Sequence, residues 1–137
     1  MPIKAYLKQA YRLNELIKSN QQELEELQEL STNLPGTDYS KDRVQTSGSN
    51  DAGYTKIVDK IVELEKAIKS DIEKLLSLKL EIRTVINTVD DNEEKLLLKH
   101  RYLNFMSWED ICDEMCVSMR TAHRIHSSAL AKIIIPE

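Results

Sequence analysis

Apolar residues in the first thirty positions recur at alternating steps of four and three: Tyr6, Ala10, Leu13, Ile17, then Leu24 and Leu27. On a helix of 3.6 residues per turn that spacing makes a single stripe, the seam of a coiled-coil-like helix. Asn20 falls on the seam, where an amide either fixes register at some cost in stability or marks a solvent-facing break. A second seam runs from Tyr54 through Ile57, Ile61, Leu64, Ile68, Ile72, Leu75, Leu78, Ile82, Val85 and Val89. Between the two, from about 34 to 53, lie Pro35-Gly36-Thr37-Asp38 and Ser47-Gly48-Ser49-Asn50-Asp51-Ala52-Gly53, with all three glycines of the chain. A mobile loop is expected there. Helices of roughly 30 and 35 residues span about 45–50 Å, too long for a compact domain of this size. Each seam must be covered, and the economical solution is an antiparallel helical hairpin over residues 1–89. The second helix carries more Ile and Leu than the first can cover, so a homodimer or higher homo-oligomer through residues 1–89 is expected.

After Val89 the period changes to three shorter helices. Asp90-Asp91-Asn92 opens the first, with Glu93 and Glu94 in the turn where the helix dipole favours acids. Leu103 to Met106 break it. Ser107 suits the N-cap of a short second helix, with Asp110 at the capping-box position. That helix ends near Cys116, and Ser118 caps a third. Trp108, Ile111, Cys112 and Met115 then face inward from the short helix, and Ala122, Ile125, Ala129 and Ile133 from the last. Small Ala122 permits a close crossing. Met119, Arg120, Thr121, His123, Arg124 and Ser127 project outward from the N-terminal half of the last helix. The fold class expected is therefore all-α, a long hairpin followed by a three-helix helix-turn-helix domain at 90–137.

Composition agrees, with charged residues at 31% and few Gly, Pro or Phe. No run approaches the ~18 apolar residues of a membrane span and no signal peptide opens the chain, so a cytoplasmic protein without membrane contact is expected. The net charge of −4 argues against a protein that coats nucleic acid indiscriminately. Its distribution is more informative. Residues 90–137 hold nine acids and six Lys/Arg, yet Val117 to Ile135 contain Arg120, Arg124 and Lys132 and no acid. Such a donor-rich face at a helix N-terminus suits a major groove, where Arg pairs bidentate with guanine and Thr or Ser meets base edges or phosphates. Any single Arg or Thr there is equally a solvated helix residue. The joint arrangement of cap, short helix, turn and second capped helix is more specific. Lys99 and Lys132 are expected at phosphates or in solvent.

The string Trp108-x-x-Ile111 … Ser118-x-x-Thr121-Ala122-x-Arg124-Ile125-His126-x-x-Ala129-Leu130 is similar to region four of bacterial sigma factors. With the preceding Leu97-x-x-x-Arg101-Tyr102-Leu103 and the long N-terminal segment, the chain resembles the ArpU/RinA-type regulators of phages and prophages. That resemblance implies an activator of phage late genes acting with host RNA polymerase on double-stranded DNA, with DNA-binding residues Ser118, Met119, Arg120, Thr121, His123, Arg124 and Ser127. Cys116 stands where the family often has Gly or Asn, and a non-Gly residue at positive φ is uncommon, so a reshaped turn is expected. The promoter-melting regions of a full sigma factor are absent from this chain, which implies an accessory factor.

Two other functional classes share parts of this pattern. A small terminase subunit also joins a helix-turn-helix to oligomerising helices, and a coiled-coil adaptor would use the C-terminal helices only to dock protein. Cys112, Cys116, His123 and His126 are spaced unlike a zinc finger, and one-step helix neighbours cannot all converge on an ion. With no signal for export, the two cysteines are expected as thiols. No nucleophile and base stand together, and His100 near Glu93 and Glu94 reads as a solvated helix residue. No catalytic, cofactor or metal site is expected.

Overall fold

The computed structural model describes residues 1–32 and 43–136, with side chains described outside 43–52. Among the described residues there are five helices: α1 Ile3–Thr32, α2 Arg43–Ile86, α3 Asn92–Tyr102, α4 Trp108–Met115 and α5 Met119–Lys132. Among the described residues there is no strand. Of the expected loop, residues 33–42 lie outside the described ones. From Arg43 the chain is already helical, so α2 runs 44 residues rather than beginning at Tyr54. Helical glycines cost about 1 kcal/mol each relative to Ala without losing a backbone hydrogen bond, so Gly48 and Gly53 weaken a helix but do not forbid it.

The chain forms two compact units, Met1–Asn14 with Glu73–Glu137, and Glu15–Ile72. In the first, the start of α1 meets the end of α2, as an antiparallel hairpin requires. The Tyr6 hydroxyl donates to Glu81 Oε1 at 2.9 Å. Burial and this bond to a carboxylate push the Tyr6 phenol up to about 12. Tyr6, Leu7 and Ala10 of α1 join Ile82, Val85, Ile86 and Val89, Leu98 and Tyr102 of α3, and Ala129 and Ile133 in one apolar cluster. Leu7, Ile82, Ile86 and Leu98 are completely buried. Each such side chain contributes roughly 1.5–3 kcal/mol through burial. The C-terminal helices thus share a core with both ends of the hairpin.

In the second unit, Ile17 and Ile68 are the buried apolar residues among those described. Leu13, Leu24, Leu27, Ile57, Ile61 and Leu64 are half-buried, as is Asn20. The seam positions are therefore screened but not sealed. Ile72, expected on the seam, is 45% exposed. A 3.6-residue helix drifts from a 3.5-residue repeat, so a strict seam does not stay inward over eleven turns unless the helices supercoil.

The α3–α4 connection is tied down by main-chain geometry. Lys99 O accepts from the amides of Leu103 and Asn104, and His100 O accepts from Met106 at 2.9 Å. Phe105 adopts φ 56°, where an aromatic side chain is strained by about 1–2 kcal/mol. Its ring offsets this by packing on the core cluster, edge-on to Tyr11 at 5.8 Å and under the Lys79 ammonium at 4.8 Å.

Candidate nucleic-acid interface

Three N-caps place the C-terminal helices, each by a side-chain oxygen accepting an amide that the helix leaves unpaired. Asp91 accepts from Glu94 N at 3.0 Å, Ser107 from Asp110 N at 3.1 Å and Ser118 from Thr121 N at 3.1 Å. A second apolar cluster locks α4 against α5: Leu97, Ile111, Ala122 and Ile125 are buried, with Met106, Trp108, Cys112, Met115 and Val117 packed around them. Ala122 is fully covered, consistent with close approach of the two helices.

The turn between α4 and α5 keeps the left-handed form, contrary to the reshaping expected from Cys116. Cys116 itself sits at φ 57°, ψ 44°, with its amide donating to Cys112 O. Val117 N donates to the same carbonyl at 3.0 Å. Two hydrogen bonds at the end of α4 hold a conformation that the thiol side chain alone disfavours.

The cap residue Ser118 and, on α5, Met119, Arg120, His123, Arg124 and Ser127 are exposed, and Thr121 is half-buried. They do not share one role. Ser118 and Thr121 face each other across the cap, hydroxyl to hydroxyl at 3.0 Å, so both help to start the helix. The His123 ring lies 4.3 Å from the centroid of Trp108, the sole tryptophan of the chain. Met119, Arg120, Arg124 and Ser127 form the outward part of the face. A shallow groove beside Arg124 is also lined by Asp91, Glu93 and Glu94, so the first turn of α3 brings acids to that edge.

Three interactions behind this face have no sequence signature. Tyr102 and His126 meet in the interior, hydroxyl to Nε2, at 2.6 Å. Burial first, then the positive charges of Lys4, His123, Arg101 and Lys8, lowers the His126 pKa to about 4. The ring is neutral at physiological pH and pins α5 to α3. Arg101 bonds Met106 O at 2.9 Å and stacks 4.9 Å from the Trp108 ring centre, fixing the indole that His123 contacts. Lys132, expected at phosphates or in solvent, instead bonds the buried Glu94 carboxylate at 2.7 and 2.9 Å, with Ser128 donating at 3.1 Å. The reason is helical phase: Ser128 and Lys132 are four apart on the side of α5 that meets the first turn of α3. The bond to Glu94 raises the Lys132 pKa.

The cysteine and histidine residues do not converge. Cys116 is exposed, His123 stacks on Trp108 and His126 is bound to Tyr102. Among the described residues no group of three or more His, Cys, Asp or Glu could hold a metal ion, and no helix is long and apolar enough to cross a membrane. His100, expected as a solvated residue, instead has its Nδ1 buried with no hydrogen-bond partner among the described residues, because Glu94 turns to α5.

Fold and surface define an all-helical protein with a C-terminal helix-turn-helix whose second helix presents an uncovered polar face. The chain belongs to the family described as protein of unknown function (DUF1492), which it matches over residues 33–133, from ahead of α2 to the end of α5. No curated protein and no solved structure matches it.

Proposed function

We propose that this chain is a sequence-specific DNA-binding transcriptional regulator of the ArpU/RinA type, an activator of phage or prophage late genes that works with host RNA polymerase. The observation that carries the reading is the exposed face of α5. Arg120 and Arg124 stand on the N-terminal half of a helix whose opposite side, Ala122, Ile125 and Ala129, is sealed in the core. From Val117 to Pro136 there is no acid. A helix anchored in the core, with exposed guanidinium groups on its N-terminal half, has the chemistry of a major-groove reader.

Two arginines give little electrostatic affinity, so the regulator binds as a homo-oligomer through residues 1–89. Ile72, Leu76 and Leu80 support this, since they recur at steps of four along α2 and are 45%, 60% and 56% exposed. The test is to select duplexes from a random pool with the full chain, then titrate the recovered duplex. Arg120→Ala and Arg124→Ala each weaken binding by about 1–3 kcal/mol and relax preference at one base pair. Wild-type affinity in both variants would falsify the assignment of the reading face.

A further inference from the structure

The first fourteen residues contain Lys4, Lys8 and Arg12 and no acid; the first carboxylate of α1 is Glu15. A spacing of four puts the three bases on one slowly drifting stripe of the helix. All three are exposed, and the ion pairs among the described residues are Lys60–Glu63 and Lys132–Glu94, so among the described residues none of the three is paired with a carboxylate. The stripe is held firmly. Tyr6, Leu7 and Ala10, on the other side of the same turns, are buried in the cluster that contains Ala129 and Ile133 of α5, with Leu130 packed against it. Lys4 and Lys8 are near enough to His126 of α5 for their charge to be felt there.

We propose that Lys4, Lys8 and Arg12 form a second nucleic-acid contact, a phosphate-binding stripe of α1 that grips the DNA backbone beside the groove entered by α5. This rests on the reading of α5 as the DNA-reading helix and supplies what that helix lacks. Charge complementarity selects the partner: a row of exposed cations on a helix anchored in the core, in a protein of net charge −4, fits a regularly spaced polyanion. Contacts of this kind fix position and strength without reading sequence.

The test is the salt dependence of binding of the full chain to a labelled duplex of mixed sequence, followed by fluorescence anisotropy. Each lost phosphate contact lowers the slope of log affinity against log salt by about 0.9, so the triple variant K4Q/K8Q/R12Q loses about 2–3 from the slope. At about 0.1 M salt, losing two contacts weakens binding roughly 60-fold. The charge-preserving variant K4R/K8R/R12K keeps the wild-type slope. The single glutamine variants each lose about one contact, so the outcome does not depend on the triple variant folding. A wild-type slope in the glutamine variants overturns the stripe and leaves the α5 reading standing. Absence of binding by the wild-type chain at low salt overturns the α5 reading, and the stripe with it.

Discussion

The two compact units of the chain solve the problem of burial differently. Met1–Asn14 with Glu73–Glu137 holds every fully buried large side chain described, among them Leu7, Ile82, Ile86, Leu97, Leu98 and Ile111. Glu15–Ile72 has Ile17 and Ile68 as its buried apolar residues among those described. Charge divides in the same way. The first unit has twelve Lys/Arg and eleven Asp/Glu, whereas the second has seven and twelve. The unit with the closed core is thus close to neutral, and the loosely packed one carries the acidity. A rigid frame is what α5 needs on the proposed reading, because a reading face held loosely cannot discriminate one base edge from another.

The largest test of this contrast is cavity formation. Leu7→Ala in the closed core is expected to cost about 2–5 kcal/mol, and Leu24→Ala on the half-buried seam of the second unit about 1 kcal/mol. Denaturant unfolding followed by far-ultraviolet circular dichroism measures both, and equal losses would break the comparison.

Acid provides the next largest effect. Burial lowers the His126 pKa from the ordinary 6.5 of histidine to about 4 in the folded chain, so the unfolded chain takes up the proton first. The associated stability is therefore fully present above pH 6.5 and is lost as pH falls toward 4, about 2 kcal/mol of it by pH 5. Stability curves of wild type and His126→Gln should converge over that window. Parallel curves would show that the Tyr102–His126 pair is not what the acid breaks.

The smallest expected effect is a gain. Cys116→Gly relieves a left-handed residue of its side chain but loosens the unfolded chain, for a net stabilisation of up to about 1 kcal/mol. A loss of melting temperature would mean that the thiol contributes packing beyond its backbone role.

Much of this frame is legible in the residues themselves. Ser107 and Ser118 announce their helices because a capping hydroxyl is a local device, and Ala122, Ile125, Ala129 and Ile133 announce their buried side because helical phase is local too. What covers Tyr6 and Ala10 is not local. Their partners on α2, α3 and α5 come from far along the chain, and apolar spacing says that a stripe is buried without saying by what. The same limit hides Glu94 from Ser128 and Lys132, 34 and 38 residues away, and Tyr102 from His126. Cys116 is the reverse case: residue preference argues against positive φ, and the paired hydrogen bonds to Cys112 O override it.

On the proposed function, DNA docks on the exposed face of α5. Two-dimensional amide NMR of the full chain, titrated with the duplex recovered by selection, tests it most directly. The largest shifts are expected at Ser118 through Ser127, with smaller ones at Lys4, Lys8 and Arg12. Binding with residues 118–127 unmoved would contradict it.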